Sequence, residues 1–202
     1  MPRFMGMDWQ EAVLKETLQE YLMTFEQMTN KLEALDRRIE ELAQGEKYKE
    51  DVKKLVCLLG VKTRTALASI VEVGDFRRFE KGSTYAAYLG MTPGESSSGD
   101  TVRRGGISKA GNAHLRTLYI EAAQGVCKGR IGHKPKELKA RQSGSSQEVI
   151  AYADQANERL RRKYYRLLHR EKKRNVAVAA IARELACFIW GLMTNHTERR
   201  VA

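Results

Sequence analysis

Cysteine is scarce in this sequence. Cys57, Cys127 and Cys187 are the only three among 202 residues, far apart and each near apolar neighbours. Without a Cys-x-x-Cys pair, neither a zinc site nor a disulfide framework is indicated, and reduced structural thiols in a cytoplasmic protein are expected. The four histidines, His114, His133, His169 and His196, show no His-x-x-x-His or His-Glu-x-x-His spacing. Two-metal phosphoryl chemistry needs converging carboxylates, and no such set is visible. Asp8 and Glu11 look like helix-start residues, and only Glu95 and Asp100 lie near the serines of residues 96–98. No apolar run approaches the roughly 18 residues of a membrane-spanning helix, so no membrane partner is expected. The first ten residues are too short and, after Met7, too polar for a signal peptide. No internal repeat and no convincing strand ladder can be read, which leaves a mostly all-α fold.

What is present is positive charge, unevenly placed. The formal net charge is +11, yet residues 1–50 hold 7 Lys/Arg against 11 Asp/Glu, a net of −4. Residues 51–202 hold 29 against 14, a net of +15. A mildly acidic arm therefore precedes a strongly basic body. That balance favours a polyanionic partner, most simply nucleic acid. The length suits one good core with an appended element.

From Leu14, apolar residues recur at Leu18, Tyr21, Phe25, Met28, Leu32, Leu35, Ile39 and Leu42, at intervals alternating four and three. About four heptads without Pro or Gly predict a long helix with a two-residue seam. Such a helix is not stable alone. It is expected to pair with another helix, in a second subunit or in its own body, and a coiled coil between subunits is the favoured reading. Gly45 and the charged stretch 46–54 mark the expected hinge, giving an arm over 1–48 and a body over 49–202.

Within the body, Leu55–Val61 and Thr65–Val73 predict two short helices around a Gly60 turn, with Phe76 and Phe79 closing the unit. The pattern is that of a helix-hairpin-helix, whose turn offers backbone N–H groups to a phosphate. Lys62 stands where a second glycine is usual, so it either contacts phosphate itself or the turn is a plain helical corner. Ser83–Leu89 and Ala113–Val126 predict further helices, 128–148 a mobile basic insertion, 149–173 a long basic amphipathic helix, and 175–193 an apolar helix at the centre of the core. Arg162 and Arg166 of the basic helix are candidate phosphate contacts, which would position the protein without reading sequence.

Between these helices lies the serine loop, 93–112. Ser96, Ser97 and Ser98 are followed by Arg103, Arg104, Lys109 and Arg116, with glycines between. A hydroxyl nucleophile beside exposed backbone and fixed cations suits attack on a phosphodiester. A flexible polar loop has the same composition. A serine also needs an activator; His114 is a candidate base, or else a surface or capping residue.

The run LGxxP…SSG…RRGGISKxGNxxLR, with LLGVKTRTALASIVEVGDFRRF upstream and VAVAAIARELACFIWGLM downstream, resembles the C-terminal domain of serine transposases of bacterial insertion sequences of the one-ten type. The resemblance runs from about Leu55 to Met193. It implies a DNA recombinase with a RuvC-like acidic domain, a coiled coil and this domain, whose serine becomes joined to DNA phosphate. By the family's Ser-Gly motif the nucleophile is Ser98, with Ser97 the fallback. Lys62, Arg103, Arg104, Lys109, Asn112, Arg116, Arg162 and Arg166 are then the expected nucleic-acid contacts. The implied partners are DNA, a structured guide RNA and further copies of the chain, acting at the bacterial nucleoid. No cofactor is expected in this chain; Mg2+ belongs to the acidic domain, which the sequence lacks. The chain is accordingly expected to be incomplete alone, as a truncated copy or a separately encoded fragment. The alternative is a non-catalytic, oligomerising nucleic-acid-binding protein.

Overall fold

A computed structural model describes residues 12–98 and 101–196, and for residues 95–104 the backbone alone. Asp8, Glu11, Gly99 and Asp100 lie outside the described residues. The chain forms two compact units, dividing between Glu41 and Leu42.

The first unit is helical. Helix α1 runs from Ala12 to Gln44 without a break and so continues past the division. Its seam is bare on the single chain: Tyr21 is 71% exposed, Phe25 63% and Leu32 62%. The predicted heptads are therefore one uninterrupted helix with an exposed apolar stripe.

The second unit is a helical body, in keeping with the mostly α reading. Helix α2 spans Lys49–Leu55, and α3 spans Thr63–Val73. The first helix of this pair lies earlier than its sequence pattern suggests. Charges dominate 46–54, which reads as a hinge, yet Val52 and Leu55 turn one face of α2 inward and are buried. The Gly60 turn joins the pair. Asp75 caps the following 3-10 turn, Phe76–Arg78, by accepting the Arg77 N–H, and α4 covers Gly82–Tyr88.

The serine segment is a correction to the strandless reading. Residues Pro93–Ser98 form β1 and Thr101–Ile107 form β2, an antiparallel ribbon with Ser98 opposite Thr101 and Pro93 opposite Ile107. A bulge lies between Pro93 and Glu95. Glycine and serine are poor strand formers, so the ladder is set by backbone pairing and leaves little trace in composition.

Helix α5 spans Ala113–Cys127, capped by the Asn112 side chain. The expected mobile insertion is also corrected. It contains a short helix, α6, Lys136–Gln142, which buries Leu138 and Gln142. Helix α7, Gln147–His169, starts at the Ser146 cap and ends before Glu171, whose φ is +55°. Helix α8, Arg174–Met193, is the hub, packing on α4, α5 and α7. With mean hydropathy 1.8 it is long and apolar enough by composition to cross a membrane, although Arg183 and Glu184 interrupt its run. Here those apolar faces meet other helices. Glu184, 13% exposed, accepts Arg159 Nε at 2.6 Å and Lys163 Nζ at 2.5 Å from α7.

Close backbone approach locks this body. Gly60 has φ +84°, and a Cβ there would sit 2.1 Å from the Ala122 carbonyl oxygen of α5. A buried chain of hydroxyls ties α3, α4 and α5: Tyr119 donates to Ser69 at 2.9 Å, and Ser69 to the Thr65 carbonyl at 2.6 Å. Tyr119's proton being committed, Tyr85 donates to it at 2.6 Å. Burial pushes the Tyr119 phenol up to about 12, against the pull of its two hydroxyl partners, so the chain is uncharged at neutral pH.

Candidate functional site

The ribbon rises from a tightly made base. The Ser108 N–H donates to the Thr92 carbonyl, Lys109 N–H to Gly90, and Asn112 N–H to Tyr88, at 2.8 to 3.1 Å. Gly111 has φ +106° and lies so close to α4 that a Cβ would be 2.0 Å from the Tyr88 oxygen. Lys109, exposed, holds φ +58° without being glycine. Such a backbone costs of order 1 kcal/mol and persists only where its surroundings fix it.

Two candidate contacts hold this base together. Arg116 donates to the Leu89 carbonyl at 2.9 Å. Asn112 accepts the Leu115 N–H as the α5 cap and donates its amide to Glu72 Oε2 at 2.7 Å. The other Glu72 oxygen meets His114 Nδ1. Glu72 therefore fastens the ribbon base and the α5 start to the end of α3. Sequence spacing gives no hint of it, because Glu72 is 40 residues from Asn112. Below the base, Phe76, Phe79, Tyr85 and Tyr88 cluster, and the Arg78 guanidinium lies 4.7 and 4.8 Å from the Phe79 and Tyr88 ring centres.

Ser97, Ser98, Arg103 and Arg104 stand along the ribbon, with Ser97 opposite Val102, Ser96 opposite Arg103 and Glu95 opposite Arg104. From Pro93 to Ser98 is roughly 17 Å of strand. Lys62 is elsewhere. It precedes α3, whereas Glu72 is near the other end, roughly 15 Å along the helix. Lys62 and Arg64 are exposed, and no side chain caps that helix start. The adjoining turn is largely spoken for: the Leu59 N–H goes to Asn157, Val61 N–H to Leu58, and the Val61 carbonyl accepts Arg141. The Gly60 conformation thus answers to packing on α5.

On α7 the basic residues divide. Arg161, 4% exposed, spends its guanidinium on the Val126, Arg130 and His133 carbonyls. It anchors the segment after α5, and burial holds its pKa below the usual value. Arg162 is exposed but pairs with Glu158 at 2.7 Å. That bond and the Gly132 N–H hold the Glu158 carboxyl below its ordinary range. Arg166 and Arg170 are exposed with no acidic partner among the described residues. The buried roles of Asn157 and Arg161 were readable, since both fall on the helical stripe Ala153, Ala156, Leu160, Tyr164. Among the described residues no three His, Cys, Asp or Glu side chains group as metal ligands.

Residues 52–140 match the family described as "Transposase IS116/IS110/IS902 family". "Putative transposase y4qE" of Sinorhizobium fredii is 42% identical over 139 residues, covering 68% of this chain and 35% of that protein. "Transposase for insertion sequence element IS1111A" of Coxiella burnetii is 33% identical over 135 residues, 64% of this chain and 37% of its own length. "Transposase for insertion sequence element IS1533" of Leptospira borgpetersenii is 29% identical over 176 residues, 83% of this chain and 48% of that one. The chain thus spans between about a third and a half of these relatives. The family match encloses α3, the ribbon, its base and α5. Over residues 52–140, this chain carries a transposase domain of the IS116/IS110/IS902 family.

Proposed function

We propose that this chain supplies the DNA-joining serine of an insertion-sequence transposase, with the ribbon presenting Ser98 to a phosphodiester. The observation that carries the reading is the transposase match over 52–140, which encloses the triple serine and the base that holds it. Alternate strand positions face opposite sides. By register, positions 96, 98, 101 and 103 share one face and 95, 97, 102 and 104 the other. Each candidate serine position therefore has an arginine position on its own face, Arg103 for Ser98 and Arg104 for Ser97. The Ser-Gly motif favours Ser98.

In the proposed step the Ser98 hydroxyl oxygen attacks phosphorus. An Oγ–P bond forms and one P–O bond to deoxyribose breaks. The serine proton leaves to a base, and the departing deoxyribose oxygen gains a proton. Net protonation is unchanged. Arginine charge offsets the negative charge that develops on the phosphoryl oxygens. His114 sits at the ribbon base with its Nδ1 on Glu72, and we assign it no part in the proton transfer. We assign activation of Ser98 to the acidic domain that the resemblance implies. The same reading gives DNA and a structured RNA as partners, pairing of α1 between copies, and action at the nucleoid in the cytoplasm.

The test is covalent capture. The chain, with the acidic domain of a relative supplied in trans, is incubated with element-end DNA and resolved under denaturing conditions. A protein–DNA adduct is expected, and Ser98→Ala should lower it at least a hundredfold. Adducts that survive in Ser98→Ala but vanish in Ser97→Ala move the nucleophile by one residue. No adduct in any mixture, with DNA binding intact, favours a binding module.

A further inference from the structure

A cavity of about 210 Å3 lies where the segment after α5 meets α6 and α7, away from the ribbon. It is some seven times the share of liquid volume of one water, and smaller than the usual drug-sized pocket. Leu59 and Leu138 give apolar walls, and Asn157, Asp154, Glu158 and Lys134 give polar ones.

Asn157 is the telling residue. It is 6% exposed, and its Oδ1 accepts the Leu59 N–H at 2.8 Å. That bond fixes the amide's orientation, since a flipped amide would set donor against donor. Its Nδ2 is thereby committed to the other side, where it is buried without a hydrogen-bond partner. An unmet buried donor is costly, and Gln142 Oε1, beside Asp154, is a second buried atom without a partner among the described residues. The acceptors nearby are carboxylates with capacity to spare. Asp154 takes Lys134 at 2.7 Å and Gln142 at 3.0 Å, and Glu158 takes Gly132 N–H and Arg162, one bond to each oxygen. A carboxylate oxygen can accept about two.

Apolar walls, one unmet donor and two carboxylates in the lining complement a heteroaromatic edge with a carbonyl beside a ring N–H. Guanine, thymine and uracil have that edge. The same segment carries exposed Lys128, Arg130 and Lys136, suited to a neighbouring phosphate. We propose that this cavity receives one unpaired nucleobase of the guanine or thymine/uracil type, its carbonyl accepting from Asn157 Nδ2 and its ring N–H donating to Asp154 or Glu158. The inference rests on the reading of the chain as acting on nucleic acid. It assigns a base-recognising pocket separate from the serine ribbon.

Fluorescence anisotropy of the full chain tests it, with 12-nucleotide oligo-dT, oligo-rU, an abasic strand of equal charge and a 12-base-pair duplex. The thymine or uracil strand is expected to bind about tenfold tighter than the abasic one, the scale of one buried hydrogen bond gained. Which of the two gains more distinguishes a DNA source from an RNA source. Asn157→Asp keeps the acceptor for Leu59 and removes the donor; it should abolish the tenfold advantage and leave duplex binding unchanged. Should that variant unfold, the parent chain still decides. In 15N–1H spectra the Asn157 side-chain amide and the Gly132 N–H should shift with GMP or UMP and not with AMP or ribose 5-phosphate. Equal binding of abasic and thymine strands, or an Asn157 amide that ignores GMP and UMP, overturns the proposal. Duplex binding without any base advantage defeats this pocket alone, whereas no salt-sensitive binding to any strand defeats the functional reading beneath it.

Discussion

Glu184 shows how a charge comes to sit in an apolar helix. Burial opposes its ionisation, but hydrogen bonds from Lys163 and Arg159 outweigh burial and hold the carboxyl below its ordinary value of 4.5. A carboxyl that titrates lower in the folded state stabilises the fold above the unfolded pKa and loses that stabilisation as pH falls through the lowered value. Glu184→Gln should therefore cost about 1–2 kcal/mol in urea unfolding at pH 7, discounted for the partial exposure of both cations. The gap between variant and parent should close as the pH drops below about 4.5. A gap unchanged down to pH 3 would show that the ion pairs contribute nothing. Among uncharged residues, Gly60 and Gly111 carry comparable weight, since each lets one backbone touch another where any side chain would collide.

At the scale of elements, α1 makes the plainest demand. Its heptad seam is regular and exposed, and a helix of that kind is completed by a like partner. The chain is expected to be oligomeric in light scattering at micromolar concentration. The pair Phe25→Asp and Leu32→Asp should return it to a monomer without loss of body helicity. A monomeric parent would remove the coiled coil from the functional reading. The long periodic elements were legible in the sequence: α1, α5, α7 and α8 have strong helical spacing, and their observed limits differ from the sequence reading by at most a few residues. Elements with weak periodicity were not. The ribbon is rich in Gly and Ser, which spell a loop, and its pairing is a backbone property. Charge masks the inward face of α2, and the insertion is held by Arg161 from a distant helix. Of the candidate site, the serines and their arginines were visible as a motif. Glu72, Asn112 and Arg116 as the parts that fasten the ribbon base were not, because their partners are far along the chain.

For the whole molecule, charge is the controlling quantity. Residues 51–202 carry a net of +15, although Arg159, Arg162 and Lys163 are matched by carboxylates and Arg161 is buried. The cations left for phosphate are fewer than composition suggests, with Arg166, Arg170, Lys62 and Lys109 among the exposed ones. Duplex affinity should fall roughly a hundredfold between 50 and 200 mM salt, the response to about four phosphate contacts. Replacing Arg166 and Arg170 together by alanine should flatten the log–log slope by about two, and Arg162→Ala should change it less. A salt-independent affinity would contradict a phosphate-led interface.

The sparse thiols have one last consequence. Burial raises the pKa of all three, Cys127 to about 11, so little thiolate exists at neutral pH. To a maleimide dye the native protein is expected to react slowly, with Cys57 and Cys127 buried and Cys187 half-buried. A lone reporter introduced as Ser108→Cys, at an exposed position of the ribbon base, would label against that quiet background, giving a fluorescent signal by which the approach of DNA to the ribbon can be timed directly, with the wild-type thiols left in place.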